Sequence, residues 1–349
     1  MKAKKLLAVL LAAVMVFSVS VVAFADEPKP ENPATAPAPA GENPVEPLDG
    51  MPQITVKQEK KTIIATSVAI EKVQGMIEDA SNADEGYSCE VDLKGATLFL
   101  DTYIDLDDGD FELTIKHGTI DGQDKTLLFY VCDANTTINL EDVTLVNGNS
   151  VVSGDNYGGA FEIDDDNVII RGKKCVISNC KAKYGGAIYL TSYADDSEIS
   201  GITFGYNQAT EDAGAVYING ADVTITDCKF MYNSTRDGGG SIYVNDDEAI
   251  IAKCQFEGGQ TVTGYGKEIY LNKKAIIEQC EFLDSVERDA IKFKSNKYYT
   301  SLSNTFAGGN AATASLVSGG SVWIIVAVIV VAAAVCIILV NKNKKGATK

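Results

Sequence analysis

One six-residue motif recurs five times in this chain at nearly constant spacing. The copy GGAIYL occupies residues 185–190, and GGAFEI, AGAVYI, GGSIYV and GKEIYL begin at residues 158, 213, 239 and 266. Successive copies are therefore 27, 28, 26 and 27 residues apart. A regular period of this length predicts a solenoid, in which each repeat, or coil, packs on its neighbours.

A second motif indicates the same period. Aligning ISNCKA, ISGITFGYN, ITDCKFMYN, IAKCQFEGG and IEQCEFLDS gives one column with Cys180, Ile202, Cys228, Cys254 and Cys280. The column two residues later holds Ala182, Phe204, Phe230, Phe256 and Phe282. Because alternate residues of a strand point the same way, both columns are expected to face one core.

Short runs of β-branched and aromatic residues alternate with Gly, Asn and Asp turns from about residue 87 to 293, which predicts about three short strands per coil. Parallel strands joined by crossovers wind right-handed. We therefore predict an all-β fold, a right-handed parallel β-helix. The apolar stripe in VAIEKVQGMIEDA, residues 68–80, predicts a short helix that caps the open sheet edge ahead of the first coil.

Both ends of the chain resemble targeting segments. Residues 1–25 combine three lysines, an apolar run and an Ala-Phe-Ala cleavage site, so they are predicted to be a signal peptide, with an uncleaved anchor as the alternative. Residues 322–340 are 19 uncharged residues, long enough as a helix to cross a membrane. The basic tail 341–349 is expected to stay inside the cell. The chain is thus predicted to be a single-pass protein of the cell membrane with its N-terminal domain outside.

Composition divides the remainder into a folded domain and two linkers. Residues 26–50 are rich in Pro and Ala and predict an extended linker. Residues 51–300 are predicted to be the β-helix ectodomain, and residues 301–321 a flexible linker. The chain has 48 acidic and 30 basic residues, and seven of the basic ones lie in the two terminal segments, so the part between carries a net charge of −25. This charge argues against nucleic acid as a partner.

Three cysteines, Cys228, Cys254 and Cys280, are 26 residues apart and are expected to stack in successive coils. Two states remain open for them. They are either buried free thiols that act as small apolar residues, or two of them form a disulfide between neighbouring coils. The chain has neither a CxxC pair nor a histidine cluster that would indicate zinc.

The outward position of the GGAIYL strand is a tyrosine in four successive coils: Tyr189, Tyr217, Tyr243 and Tyr270. Together they predict a strip of rings roughly 15 Å long on one face. One interpretation is that the strip stacks on sugar rings or on an apolar patch of a partner. The other is that these residues reflect β-propensity and pack on each other.

The turns that follow the motif are acidic, with Asp164, Asp165, Asp166, Asp195, Asp196, Asp246 and Asp247. Stacked carboxylates along one edge could hold Ca²⁺, which prefers several oxygen ligands. The alternative is that these residues are solvated turn formers, since no loop has EF-hand or nonapeptide spacing. No other cofactor is expected.

The repeats GGAI (185–188), FGYN (204–207) and FMYN (230–233) resemble the GGA(I/L/V) and FxxN repeats of polymorphic membrane proteins and related adhesin-like β-helix proteins. TIDGQDKTLLFYV (119–131) and LEDVTLVNGN (140–149) resemble their opening coils. The family pattern includes a C-terminal outer-membrane barrel, whereas a helix is expected at residues 322–340 of this chain. The resemblance implies a non-catalytic surface protein that binds a carbohydrate or a surface protein.

An enzyme and a purely structural surface protein are the alternatives. Parallel β-helices also serve as polysaccharide lyases and glycosidases, which need a basic residue beside a Ca²⁺ cluster or paired carboxylates. The single histidine is His117, and the ectodomain arginines are Arg171, Arg236 and Arg288. Acids recur before the inward strand as Asp212, Asp237 and Asp289, although Asp is also a common turn former.

Overall fold

The computed structural model describes residues 52–58, 61–67, 69–82, 87–107 and 110–307. In this part of the chain, short strands form a parallel β-solenoid of about 8 turns, and the helices are few and short. The predicted all-β solenoid is therefore confirmed. The predicted signal peptide, the Pro-rich linker, the membrane helix 322–340 and the basic tail lie outside the described residues, as does most of the linker 301–321. Among the described residues, none of the helices has the length and apolar character needed to cross a bilayer.

The strands of the first half of the chain are β1 (Gln53–Gln58), β2 (Lys61–Ser67), β3 (Tyr87–Asp92), β4 (Thr97–Phe99), β5 (Ile104–Leu106), β6 (Glu112–Asp121), β7 (Phe129–Val131), β8 (Thr137–Val146), β9 (Phe161–Ile163), β10 (Ile169–Ser178), β11 (Lys181–Ala182) and β12 (Ile188–Leu190). The helices are a 3₁₀ turn (Ile70–Lys72), α1 (Val73–Ser81), α2 (Ser150–Ser153) and α3 (Glu287–Ala290).

The remaining strands are β13 (Glu198–Gly205), β14 (Gln208–Ala209), β15 (Val216–Ile218), β16 (Thr224–Thr226), β17 (Lys229–Met231), β18 (Ser234–Thr235), β19 (Ile242–Val244), β20 (Ala249–Ala252), β21 (Gln255–Glu257), β22 (Gln260–Thr261), β23 (Ile269–Leu271), β24 (Ala275–Glu278), β25 (Glu281–Phe282), β26 (Ile291–Phe293), β27 (Tyr299–Leu302) and β28 (Thr305–Phe306).

Three sheets run along the solenoid. The first has 16 strands and includes β6, β8, β10 and β13 as its longest members. The second has eight strands in the order β26-β23-β19-β15-β12-β9-β7-β5, and the third is the short sheet β11-β14-β18-β22. In the second sheet, each three-residue strand buries its first and third residues and half-exposes the middle one, except in β26 at the end. The core is therefore one column of apolar side chains enclosed by the sheets.

Large aromatic side chains stack inside this core. The rings of Phe204, Phe230, Phe256, Phe282 and Phe306 form one column, with centroids 4.7 to 4.9 Å apart between neighbours. The rings follow the spacing of about 4.8 Å between hydrogen-bonded strands. A residue in one coil thus determines where the matching ring of the next coil can lie, which explains why the sequence repeats its shapes.

One register prediction is wrong, since Cys180 does not belong to the column of Ile202. In the structure Ile202 pairs with Cys175, and the ladder between β10 and β13 is irregular between Arg171 and Cys175. Cys180 instead occupies the position that Asn207 takes one coil later, and its backbone N–H donates to the Asn207 side chain over 3.0 Å. The sequence alignment chose the wrong one of two cysteines that lie five residues apart.

The cysteine column otherwise continues through Cys228, Cys254 and Cys280, whose side chains are each 1 % exposed. All the cysteines of the described residues are free thiols in the structure. Burial and the neighbouring thiols Cys228 and Cys280 raise the pKa of Cys254 well above its usual value. A protonated, buried thiol is unreactive, which suits a packing role.

The two ends differ from the sequence prediction. Helix α1 confirms the predicted N-terminal helix, but it packs against β3 and β5 and adds Val73 and Ile77 to the core. The sheet edge is covered by β1, which pairs antiparallel with both β2 and β3. At the other end β27 and β28 continue the solenoid to Phe306, so the predicted domain boundary at residue 300 falls inside the last coil.

Buried polar side chains stabilise one corner of the coils. The Asn233 side chain accepts a hydrogen bond from the Asn207 backbone N–H and donates one to the Phe204 carbonyl, each over 3.0 Å. In the next coil Gly259 holds this position, and the carboxyl group of Glu268 reaches across to accept from the Gly259 N–H over 2.8 Å. Burial raises the pKa of that carboxyl group to about 7. Two different side chains, an Asn and a Glu, thus accept hydrogen bonds from buried backbone N–H groups at this corner.

Candidate binding surface

The tyrosine ladder consists of the outward side chains of β12, β15, β19 and β23, which are Tyr189, Tyr217, Tyr243 and Tyr270. These residues are direct register partners in neighbouring strands. Their ring centroids lie 5.1, 5.0 and 5.2 Å apart in that order. The predicted strip is therefore a continuous column of rings, stacked by the spacing of the strands.

The rings of the ladder cover each other. Tyr217 and Tyr243 are inclined by only 5° to one another, and all four ladder residues are half-buried. Because stacked neighbours occupy the ring faces, the ladder presents ring edges and hydroxyl groups to solvent. The ladder itself therefore does not offer the free ring faces that stacking on a sugar requires.

Burial also affects the ladder hydroxyls. It raises the pKa of Tyr189 to about 12, with smaller contributions from Tyr157 and Glu162. The pKa of Tyr217 and that of Tyr243 are raised as well, again mainly by burial. The hydroxyls consequently remain protonated across the physiological range and are able to donate hydrogen bonds.

An outer row of residues runs beside the ladder, in the turn before each strand of the second sheet. Four backbone hydrogen bonds, from Gly158, Gly185, Ala213 and Gly239 to the coil that follows each, set its register. The outer row consists of Tyr157, Tyr184, Asp212, Gly238 and Tyr265. Its three tyrosines are not among the binding residues predicted from the sequence. The signal was a tyrosine directly before the motif, in YGG at 157 and 184 and YGK at 265.

The outer-row rings lie on ladder rings, and two of them, Tyr157 and Tyr265, are more accessible than the ladder rings. Tyr157 lies 4.5 Å from Tyr189 between ring centroids. Tyr184 meets Tyr217 edge-on at 5.6 Å, and Tyr265 meets its ladder neighbour edge-on at 5.8 Å. Tyr157 is 37 % exposed and Tyr265 is 56 % exposed. The outer row therefore supplies the accessible aromatic surface that the ladder lacks.

The ladder column continues into an acidic end. Glu162 on β9 is the register partner of Tyr189 on one side and of Tyr130 on the other. Burial, and then the charge of Asp164, raises the pKa of the Glu162 carboxyl to about 7. The Tyr130 hydroxyl donates to Asp164 Oδ2 over 3.0 Å. Chemically, this end of the surface holds a carboxyl group that is partly protonated near neutral pH.

Asp165, Asp195 and Asp246 are among the acids predicted to bind Ca²⁺, and each accepts a hydrogen bond from a backbone N–H group in a turn. Asp165 Oδ1 accepts from the Asp166 N–H over 2.8 Å, and Asp246 Oδ1 accepts from the Asp247 N–H over 2.7 Å. Asp195 Oδ1 accepts from a backbone N–H of the next coil over 2.7 Å. Within the described ranges, no three His, Cys, Asp or Glu side chains come together in an arrangement that could hold a metal ion.

The residues considered for catalysis do not form one cluster. Asp212 and Asp237 are neighbours, since Asp212 Oδ1 accepts from the N–H of Gly238, the residue after Asp237, over 2.9 Å. His117 Nδ1 lies 3.1 Å from Asp92 Oδ1, near the N-terminal end of the solenoid. Arg236 forms ion pairs with Glu211 at 2.7 Å and Asp237 at 3.0 Å, at the edge of the outer row. The structure thus brings none of these groups to the acidic end of the ladder.

No family model, curated protein or solved structure matches this chain significantly. The likeness to adhesin-like β-helix proteins therefore depends on the short repeats quoted above.

Proposed function

We propose that this chain is a non-catalytic, adhesin-like protein of the cell surface that binds carbohydrate on its tyrosine-rich face. The observation that carries the proposal is the pairing of the ladder with the partly exposed outer row on one face. Tyrosine combines an apolar ring with a hydroxyl group. The exposed rings of Tyr157 and Tyr265 would pack on the apolar faces of sugar rings, and the ladder hydroxyls would donate to sugar oxygens.

Cell-surface display rests on the predicted ends of the chain. The signal peptide would export the chain, and the membrane helix 322–340 would anchor it beside the cell, with the right-handed solenoid as a rod outside. The net charge of −25 on the exported part disfavours acidic polymers, because like charges in contact are costly. The ligands that fit best are therefore uncharged polysaccharides.

Affinity electrophoresis tests this function. The full-length chain in nonionic detergent is run through native gels cast with a neutral β-glucan, a galactomannan, a chitosan or a polygalacturonate, with mobility normalised to a gel without polysaccharide. We expect retardation in at least one neutral gel and no clearing of the polysaccharide. Mobility that stays unchanged in every gel would contradict carbohydrate binding and direct the search to surface proteins.

A structural surface protein without a specific ligand is the second candidate. The mutual stacking of ladder rings favours it, because the spacing of coils explains that stacking without any ligand. Such a rod would pass through every gel unretarded, so the same experiment separates the two functions.

Clearing of a gel would instead indicate polysaccharide cleavage. Glu162 would then be the residue to test, because a carboxyl group with a pKa near 7 suits a general acid. Loss of clearing in a Glu162→Gln variant would place the reaction at the acidic end of the ladder.

A further inference from the structure

The outer row is interrupted in its middle. Three of its five positions are tyrosines, whereas the two between Tyr184 and Tyr265 are Asp212 and Gly238. Hydrogen bonds from Gly185 N to the Asp212 carbonyl and from Gly239 N to the Tyr265 carbonyl keep the backbone in register across this gap. From Tyr184 to Tyr265 the chain climbs three coils, or about 14 Å at the spacing of parallel strands. The backbone register is therefore the same across the gap, and only the side chains differ.

Tyr243 lies beneath this gap. In the part of the chain that the structure describes, its ring contacts are with the ladder neighbours Tyr217 and Tyr270. Those two rings also carry an outer-row ring, Tyr184 and Tyr265 respectively. Tyr243 is thus the ladder residue that no outer-row ring contacts, and it lies between two ladder residues whose rings each contact one.

A carboxyl group lies beside the gap. Asp212 Oδ1 accepts a hydrogen bond from Gly238 N over 2.9 Å, which fixes the carboxyl group beside the ladder. A Cβ atom at Gly238 would lie 3.1 Å from Tyr243 Cε2 and 3.2 Å from Asp212 Oδ1. The missing side chain of Gly238 therefore lets both groups approach the backbone. Asp212 and Tyr243 together present an acceptor and a donor between two rings.

We propose that the gap in the outer row over Tyr243, bounded by Tyr184 and Tyr265 and containing Asp212, is the subsite that recognises a short stretch of uncharged polysaccharide. This inference rests on the carbohydrate-binding function proposed above. A carboxylate forms charge-assisted hydrogen bonds with sugar hydroxyls, and the flanking rings supply apolar contact. The acidic surroundings repel uronic acid residues. Of the cations at this edge, Arg236 is already paired with Glu211 and Asp237, and the Lys183 ammonium lies over the Tyr184 ring, with Nζ 5.3 Å from the centroid.

The most direct variant completes the outer row. Asp212→Tyr adds the residue that this row already carries at 157, 184 and 265, so a ring would cover Tyr243 and the carboxyl group would be lost. We expect the dissociation constant for the retained neutral polysaccharide to rise at least tenfold. Asp212→Asn keeps the shape and the bond from Gly238, and should weaken binding severalfold through the lost charge.

Thr226→Tyr is the matched control, because it adds a tyrosine at a half-buried outward position of β16 in the first sheet. It should bind as the unmodified chain does. Dissociation constants come from mobility in gels with increasing polysaccharide, and thermal unfolding of each variant verifies the fold. If Asp212→Tyr misfolds, Asp212→Asn decides the question alone.

The outcomes separate the two proposals. Unchanged binding by Asp212→Tyr and Asp212→Asn would overturn the subsite and leave carbohydrate binding intact. Retention of the unmodified chain by polygalacturonate alone would overturn the choice of an uncharged ligand. Failure of every polysaccharide to retain the unmodified chain would overturn the proposed function, and the subsite with it.

Discussion

Two columns of stacked aromatic rings run along this solenoid, one in the core and one on the surface. The core column, from Phe204 to Phe306, has centroid distances of 4.7 to 4.9 Å and inclinations of 7 to 10°. The tyrosine ladder has distances of 5.0 to 5.2 Å and inclinations of 5 to 31°. The similar distances show that the spacing of coils stacks rings wherever the same position is aromatic.

The difference between the columns is in burial and in the hydroxyl groups. Phe204, Phe230 and Phe256 are completely buried, whereas the ladder residues keep an edge in solvent. Stacking alone is therefore no evidence for a ligand. What distinguishes the surface column is the accessible outer row beside it and the hydroxyls it presents.

The largest expected effect of a single change is in the core column. Phe230→Ala removes a ring that contacts a ring on each side, and should lower the free energy of unfolding by roughly 3 to 5 kcal/mol. Tyr217→Ala removes a ring that is partly solvated, so a loss of about 1 to 2 kcal/mol is expected. Urea denaturation followed by circular dichroism measures both. Equal losses would show that the ladder is as much a part of the core as the phenylalanines.

Polysaccharide binding should depend on the tyrosine ladder more than on the core column. Tyr217→Ser combined with Tyr243→Ser should reduce polysaccharide affinity at least tenfold while the solenoid stays folded, because both hydroxyl-bearing rings of the central ladder disappear. The control is Tyr206→Ser with Tyr232→Ser, which removes a stacked pair 5.3 Å apart from a different corner. If the control variant loses as much affinity, binding is not specific to the ladder.

The acidic end of the surface column should make stability depend on pH. Burial raises the pKa of Glu162 in the folded protein to about 7, from an ordinary value of 4.5, so folding favours its protonated form. Its contribution is fully present below about pH 4.5 and is lost as pH rises through 7. Glu162→Gln should therefore stabilise the protein at pH 8 by about 1 kcal/mol, after allowance for solvent screening.

The comparison requires difference curves, because Glu268 has a raised pKa in the same window. Unfolding free energies of the unmodified chain and of Glu162→Gln are measured from pH 4 to 8 and subtracted. Glu198→Gln, at an exposed position of β13, is the control. A difference that is constant with pH would show that Glu162 is solvated like an ordinary surface acid.

The smallest effect is expected from the ladder hydroxyls. Burial raises the pKa of Tyr189 to about 12, so folding favours the neutral phenol. This stability is present up to the unfolded pKa, about 10, and is lost as pH rises through 12. Tyr189→Phe keeps the ring and removes the ionisable hydroxyl. In an ultraviolet titration of tyrosinate, the variant should therefore lack an ionisation step at the high-pH end, near pH 12. Loss of an early step would mean that Tyr189 is more exposed than the structure indicates.

The sequence was sufficient for the solenoid because each coil must repeat the shapes of the last. Ile188, Tyr189 and Leu190 alternate with a period of two, and this period gives the direction of each side chain. The predicted register is wrong at Cys180. The pairing of β10 with β13 is irregular between Arg171 and Cys175, and the sequence pattern does not indicate this irregularity. Motif alignment assumes equal spacing inside each coil, and this coil departs from it.

The candidate site was only partly predictable for a related reason. Tyr157, Tyr184 and Tyr265 lie in turns, where no period-two rule gives the direction of a side chain. The hairpin of β1 and β2 was missed because it occurs once and matches no repeat. The last coil was missed because it lacks the motif glycines. In addition, Asn304 occupies the position that is cysteine in the earlier coils, and its side chain accepts a hydrogen bond from the Cys280 N–H over 2.8 Å.

The most direct test of the central claim is the retardation of the full-length chain in a gel cast with a neutral polysaccharide, compared with the Tyr217→Ser and Tyr243→Ser double variant in the same gel. The account predicts that the unmodified chain is retarded and that the double variant, still folded, migrates as in a gel without polysaccharide. Equal mobility of the two proteins in every neutral gel would contradict the claim that the tyrosine-rich face binds carbohydrate.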